Sequence, residues 1–407
     1  MITVVIDTNN LLIRSFFLHK TYAKTTEGIS IKNYDTNEEV NSLIRKLAID
    51  VSYILKEINP SKVIFTSDNK SWRKSILIEE NDGYKANRVK DNTINWENIY
   101  NALDEFLDTV EKNGFISSNV YRAEADDLAS MWGDYLLNKE KTHVVVVTSD
   151  EDIRQLITHT SDNYYLCVYN PFMQGIDKDY NRPMRKFYTD DSFKEWINSQ
   201  DEIEIDIFNV GAEYNPDKSN FKRVLNNNYI KHVIVDGEEI ALKKIFMGDK
   251  GDNIPPLHSW YTPTSTKIVN ISTKKYEKIR EDVIIKKVDD LLGDYTQELI
   301  KESIENISKQ KLKINIQDRI KRQIQLVELK SKNFPIDIVD NFNKKEIIKY
   351  HKGKLLDCSS MDLEVMLKNS KFISDDFNKE KYHKDTTLAD VFNDIDKSLK
   401  LKSESLF

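Results

Sequence analysis

The chain has 407 residues, 39% hydrophobic and 31% charged, with a formal net charge of −7. That length suggests two domains, or one large domain with additions, and the composition supports a sizeable core. The negative balance excludes a uniformly basic nucleic-acid coat, although local charge decides what binds, and no stretch is long and apolar enough for a membrane span.

The N-terminal "MITVVIDTNN" meets an Asp at position 7, which is unlike a signal peptide. "TVVID" (3–7) reads as a short apolar strand ending in Asp7, and "SLIRKLAIDVSYILKEI" (42–58) as an amphipathic helix. "KVIFTSD" (62–68) is a second apolar strand, ending in Asp68. Residues 69–95 are polar, basic and aromatic, and read as an excursion outside the core. "WENIYNALDEFLDTVEKNG" predicts a helix stopped by Gly114. "FISSNVYRAEADDLASMWGDYLL" predicts a short strand and then a helix entered through Glu124, Asp126 and Asp127. "HVVVVTSDEDIRQLI" predicts a buried strand followed by a helix, and "YYLCVYNP" a further strand. From about 171 to 239 the pattern is irregular, with "KHVIVDGEEIAL" (231–242) readable as a hairpin. Beyond 240 the chain reads as mainly helical, and from 374 as a polar, flexible tail. The two cysteines, Cys167 and Cys358, form neither metal-ligand spacing nor a disulfide framework, so a reducing, cytoplasmic compartment fits.

Strands alternating with helices predict an α/β fold, a central mostly parallel sheet flanked by helices. In such sheets ligands bind at the carboxyl ends of the strands, and Asp7, Asp68 and Asp150 all fall there. Any one of them can be explained as a helix N-cap. All three together point to a site. Glu124, Asp126, Asp127 and Asp152 join them, with Asp249 and Asp252 of "IFMGDKGDNIPPL". No His or Cys accompanies these carboxylates, which speaks against zinc. An all-oxygen set suits Mg²⁺ or Mn²⁺, and its size suggests two ions about 4 Å apart, as in phosphoryl displacement by water. Glu124 and Asp127 share a helix face, with Asp126 pointing partly elsewhere; "EADD" also reads as an acidic helix N-terminus placed for the dipole. Basic residues gather at 70–90 and at 309–332, and each stretch taken alone reads first as a solvated helix face.

With these motifs assembled, the chain resembles the flap-endonuclease-like 5′-nucleases, and within them the phage ribonuclease H group of the T-even type. The matching stretches are "VIDTNNLL" (5–12), "FTSDN" (65–69), "GYKANR" (83–88), "YRAEADDLA" (121–129), "VTSDEDIRQL" (147–156) and "FMGDKGDNIPPL" (246–257), in family order. The resemblance implies a PIN-like nuclease core over 1–239, with a helical arch at about 69–95 and an insertion at about 171–239. A helical duplex-binding region containing a helix-three-turn-helix would follow over 240–373. It implies a monomeric, metal-dependent enzyme that cuts 5′ ends of branched DNA and of RNA–DNA hybrids, as in primer removal in phage replication.

By motif, Asp7, Asp68, Glu124, Asp126 and Asp150 would hold a first Mg²⁺, replaceable by Mn²⁺. Asp152, Asp249 and Asp252 would serve a second, with Asp127 as an outer partner. Lys85 and Arg88 would neutralise the scissile phosphate, and Tyr84 would stack on a base. Trp72, Arg73 and Lys74 would extend the strand-binding wall, with Lys250 in the loop that grips DNA. Pro255-Pro256-Leu257 lacks the Gly of the family's turn, which weighs against monovalent-cation binding by its backbone. The 171–239 insertion reads as a loop extension over the sheet edge. The terminal "LKSESLF" resembles sliding-clamp-binding tails through Leu406-Phe407, and a single-strand-binding protein is a further expected partner. The alternatives are a structure-specific DNA-binding protein without catalysis and a different magnesium phosphotransferase or phosphatase.

Overall fold

The valine run at 143–147 becomes an interior strand because both of its faces are covered. In the computed structural model, residues 1–22, 24–25, 28–29, 33–78, 83–172, 176–177, 182–199, 221–227, 229–255, 316–356, 358 and 363–367 are described. In chain order their main elements are β1 (Ile2–Asp7), α1 (Thr8–Tyr22), α2 (Asn37–Ile58), β2 (Lys62–Thr66), α3 (Trp96–Lys112), β3 (Ile116–Ser118), α4 (Ala125–Tyr135) and β4 (His143–Val147). There follow β5 (Thr158–His159), β6 (Tyr165–Asn170), β7 (Arg185–Thr189), α5 (Asp191–Ser199), α6 (Phe221–Leu225), β8 (Ile230–Ile234) and α7 (Gly237–Met247). The last are α8 (Ile316–Val327), α9 (Ile336–Asn341), α10 (Ile347–Lys352) and α11 (Leu363–Leu367). The strands form one sheet in the order β8-β7-β6-β4-β1-β2-β3, with β5 pairing β6.

Strands β3, β2, β1, β4 and β6 are mutually parallel. Side chains alternate between faces along each strand. Val145 and Val147 join the core built on α2 and α3, while Val144 and Val146 join the core built on α4. Parallel register then aligns the strand tips: Ile6 lies opposite Phe65 on one side and Val147 on the other. The residues that follow, Asp7, Asp68 and Asp150, therefore emerge at one edge. The apolar stripe of α2 packs on this sheet; its start is capped by Thr36, whose Oγ1 accepts the Glu39 N–H at 3.3 Å, and its end by left-handed Asn59.

Several expectations are corrected. The residues after Asp150 form only a 3₁₀ turn, Asp152–Leu156, because Asp150 ties the Asp152 N–H at 2.9 Å and closes a tight bend. Residues 231–242 are no hairpin: β8 pairs parallel with β7, and Asp236 caps α7 by accepting the Glu238 and Glu239 N–H groups. The described part of the 171–239 insertion is not a loop but a sheet extension, β7 antiparallel to β6 and β8 beyond it. It is fastened to α2 by the Glu57 carboxylate, which takes both Arg185 Nη1 and Nη2 at 2.8 and 3.1 Å.

The expected boundary at 239/240 falls inside α7. The described residues after it do not stand apart from the core. Leu329, Phe334, Ile338, Phe342 and Tyr350 pack with Trp132 on one face of the sheet. The chain then passes Gly114 and Ser61, whose carbonyls accept the Lys354 and Leu356 N–H groups, and Leu356, Cys358, Leu363 and Leu367 enter the opposite core. Residues 256–315, which include Pro256 and Leu257 and much of the region of 240–373 expected to hold a helix-three-turn-helix, lie outside the described residues, as does the expected tail at 374–407. Among the described residues, no helix is long and apolar enough to cross a membrane.

Helix α7 approaches the turn after β4 very closely. A Cβ on Gly237 would meet the Gln155 carbonyl oxygen at 2.8 Å, that of Ile157 at 3.0 Å and that of Arg154 at 3.1 Å. Backbone cannot yield as a flexible side chain can. Gly237→Ala is expected to cost about 1–3 kcal/mol in urea unfolding; a change within about 0.5 kcal/mol would contradict this close approach.

Candidate functional site

The sequence "DTNN" ties three strand tips together. Asp7, at the end of β1, accepts the Asn10 N–H at 3.1 Å and the Thr148 hydroxyl at 3.0 Å. Asn9 Oδ1 accepts the Asp68 N–H at 3.0 Å, beyond β2. Asn10 Oδ1 accepts both the N–H and the hydroxyl of Ser149, beyond β4. Asn9, Asn10, Thr148 and Ser149 were not among the expected site residues, although each lies beside an Asp of a quoted motif. Burial, then the Asp68 and Asp150 charges, push the Asp7 carboxyl up to about 7.

The start of α4 supplies the first cluster. Asp68 Oδ1 accepts the Ala125 N–H at 2.8 Å; burial nevertheless raises its carboxyl, with the Glu124 charge adding to the effect. Glu124 and Asp127 form a reciprocal capping box, so the helix-cap reading of "EADD" holds locally. It leaves Glu124 free to do more. Its Oε2 accepts Ser71 Oγ at 2.7 Å and Arg73 Nη1 at 3.1 Å, and Oε1 accepts Lys85 Nζ at 2.7 Å. Burial would raise this carboxyl, but the Lys85 and Arg73 charges hold it down at about 2. Asp126 moves the other way, raised by burial and then by the Asp127 and Glu124 charges.

Asp152, Asp249 and Asp252 form the second cluster. Lys244 of α7 lies between Asp152 and Asp249 and pairs with both. Burial and the Asp150 charge still raise Asp152 to about 6. For Asp249, the Lys244 hydrogen bond and charge outweigh burial and lower it. The "GDKGDNI" segment closes on itself: Asp249 and Ile254 exchange backbone hydrogen bonds at 2.9 and 2.7 Å, and Asp249 Oδ1 accepts the Gly251 N–H at 2.7 Å. Lys244 was not foreseen; its only sequence signal is a position one helical turn and a bend before Asp249.

In each cluster, carboxylate oxygens of the three residues lie within 4.8 Å of one another: Glu124, Asp126 and Asp127 in one, and Asp152, Asp249 and Asp252 in the other. All donors are hard oxygens, so the residues fit a divalent ion such as Mg²⁺ or Mn²⁺. Asp150 is exposed at the rim. The two clusters meet at Tyr84 and Lys85: the Tyr84 hydroxyl is 3.3 Å from Glu124 and 3.1 Å from Asp252, and Lys85 Nζ is 3.8 Å from Asp252.

The basic excursion at 69–95 is docked rather than detached. The Lys85 N–H bonds the Asp252 carbonyl at 2.8 Å, and Asn87 and Asn253 cross-link Gly83–Asn87 to Lys250–Asn253. Lys85 itself has φ +55, a conformation uncommon outside glycine. Arg88 pairs with Asp252 while its side chain stays 58% exposed. Three expected nucleic-acid contacts are corrected. Trp72, Arg73 and Tyr84 are only 4%, 1% and 5% exposed, and the Tyr84 ring packs with Ile78, Ile245 and Ile254, so none offers a free face to a base or phosphate. Lys74 and Lys250 are exposed. In the second basic stretch Lys330 pairs with Glu328, and Lys309, Lys311 and Lys313 lie outside the described residues, as do Leu406 and Phe407.

Residues 2–190 match the family model of the 5′-3′ exonuclease N-terminal, resolvase-like domain. No curated protein matches the chain. Among solved structures the chain is similar to the bacteriophage T5 D15 flap endonuclease in a complex with DNA and metal ions, with 17% identity over 86% of this chain and 100% of that one, at a TM-score of 0.46. T5 5′-exonuclease with bound zinc gives 20% identity over 86% and 99%, at 0.43. Human GEN1 with Holliday junction DNA gives 15% over 85% and 71%, at 0.29.

The Asp7 shift fixes a pH dependence. Its carboxyl rises from 3.8 to about 7 on folding, so its contribution to stability is complete below about pH 4 and is lost as pH rises through about 7. In chelator-treated protein, stability is expected to fall between pH 4 and 7, and Asp7→Asn to flatten that fall. Identical pH profiles for the two proteins in urea unfolding would contradict the buried, repelled carboxyl.

Proposed function

We propose that this protein is a metal-dependent 5′-nuclease, a reading supported by the match of residues 2–190 to the family model of the 5′-3′ exonuclease N-terminal, resolvase-like domain. It hydrolyses phosphodiesters at the 5′ ends of branched DNA and of RNA–DNA hybrids, the chemistry of primer removal. The observation that carries the reading is the convergence of carboxylates from three parallel strand tips, a helix start and the 249–252 loop, flanked by Lys85 and Arg88.

Asp7, Asp68, Glu124, Asp126 and Asp150 are the residues assigned to a first Mg²⁺, and Asp152, Asp249 and Asp252 to a second. Bound there, such ions supply a lowered pKa for water and stabilisation of the leaving oxygen. The chain's own groups do the rest. Lys85 and Arg88 are placed to offset phosphate charge beside the carboxylates, where removal of water from the site strengthens their field. Asn9 and Asn10 hold the strand tips in register, and Asp127 fixes the start of α4 from inside. Without an ion, Lys244 bridges Asp152 and Asp249 and holds the two carboxylates together.

The test uses end-labelled 5′-flap DNA and RNA–DNA hybrid with and without Mg²⁺ or Mn²⁺. Wild type is expected to release 5′ products only with metal, and Asp150→Asn with Asp152→Asn to lower the rate by about 10²–10³-fold or more, the scale of one lost transition-state electrostatic contact. Unchanged cleavage by that double variant would overturn the metal assignment. Wild type that binds flaps and never cuts would make the protein a structure-specific DNA-binding module instead.

A further inference from the structure

The most deeply buried charge beside the first cluster belongs to neither ligand set. Arg73 is 1% exposed and faces three carboxylates: Nη2 is 2.7 Å from Asp127 Oδ1, and Nη1 is 3.1 Å from Glu124 Oε2 and 4.0 Å from Asp126 Oδ1. Trp72 Nε1 donates to Asp127 Oδ2 at 3.0 Å, and the Glu124 N–H donates to that same oxygen at 3.0 Å. Ser71 completes the arrangement by accepting the Arg73 N–H and donating to Glu124 Oε2 at 2.7 Å. The guanidinium lies over the Trp72 ring, 4.8 Å from its centroid, and 5.8 Å from the Phe334 ring. The segment is pinned from behind, since the Trp72 N–H bonds the Arg122 carbonyl and the Asn69 N–H that of Ala123, both at 2.9 Å.

From this geometry we infer that Arg73, braced by Trp72, is a positioning pair for the first acidic cluster: it fixes the Asp127 and Glu124 carboxylates so that Glu124 and Asp126 are presented together for a cation. The inference rests on the metal-dependent reading above. A guanidinium cannot shed its proton in a protein, so the cation is permanent, unlike a buried lysine. Its planar fork presents Nη1 to Glu124 as a hydrogen bond and Nη2 to Asp127 as an ion pair, two directions that a single ammonium does not fix at once. Asp127 is drawn inward on both oxygens, and this anchors the helix turn that carries Asp126. A buried ion pair is weak evidence for stability, because well-packed apolar groups can serve as well. What the guanidinium adds is geometry, holding like charges together where they would otherwise turn apart.

The test measures Mn²⁺ binding to the full chain by electron paramagnetic resonance without nucleic acid, beside Tm and steady-state cleavage of flap DNA. Arg73→Met is expected to weaken the tighter Mn²⁺ site by about 10–100-fold, the usual effect of losing a group that orients ligands. Arg73→Lys is expected to recover part of that loss, and Trp72→Phe, which deletes the donor to Asp127 and shrinks the ring under the guanidinium, to weaken Mn²⁺ less than Arg73→Met. kcat should fall with KM for DNA unchanged, because Arg73 does not reach the surface. If Arg73→Met does not fold, Trp72→Phe and Arg73→Lys decide alone. Wild-type Mn²⁺ affinity in all folded variants, with only Tm lowered, would overturn the proposal and leave Arg73 as interior packing. A raised KM with Mn²⁺ affinity unchanged would overturn it in favour of a DNA contact. Wild type that binds no Mn²⁺ would remove the metal reading itself, and the positioning role with it.

Discussion

Mutual repulsion among carboxylates is the constraint around which this fold is arranged. Parallel register brings Asp7, Asp68 and Asp150 to one edge of the sheet, and the start of α4 and the loop after α7 add more acids there. Burial makes this worse by removing the water that would screen them. The chain meets the repulsion with fixed groups. Arg73 and Lys85 face the first cluster, Lys244 and Arg88 the second, and backbone N–H groups of Asn10, Ala125 and Gly251 point at individual carboxylates. The carboxyls respond unequally, Glu124 lowered and Asp7 raised. Such divergence within one site is typical of functional rather than structural charge.

The rest of the structure serves that edge. The two apolar faces of β4 lock its tip between two cores, so Asp150 and Asp152 leave the sheet from a rigid strand. Gly237 lets α7 lie against the turn that follows, which brings Lys244 and the 249–252 loop to Asp152. The segment from Leu329 to Leu367 closes both cores. Part of it, Phe334, reaches the guanidinium of Arg73, so the C-terminal wrap and the first cluster share an interior.

Much of this was legible in the sequence. Runs of Val and Ile ending in Asp gave the strands and their shared edge, because a strand buried on both faces has no polar alternation to hide it. The helices over 42–58 and 96–112 followed from apolar spacing. Other features left no such trace. Residues 70–95 look polar and basic, yet Trp72, Arg73 and Tyr84 turn inward, because a buried arginine and a surface arginine have the same letter and only the facing acids distinguish them. "DGEE" reads as a hairpin turn, but Asp236 is a cap and the helix it starts carries Lys244. The sheet extension at 185–234 reads as a loop because its two short strands stand some forty residues apart, with α5 and α6 between them, so no local alternation joins them as a pair.

The central claim is that these acids form one site for divalent ions at the carboxyl edge of the sheet. Anomalous diffraction from crystals of the full chain soaked in Mn²⁺ tests it most directly. The account predicts anomalous peaks in contact with Asp126 or Glu124 of the first cluster and with Asp152 or Asp249 of the second, with the Lys244 ammonium moved from between its two partners. Strong Mn²⁺ peaks confined to acids elsewhere on the surface, or none at the strand tips, would contradict it.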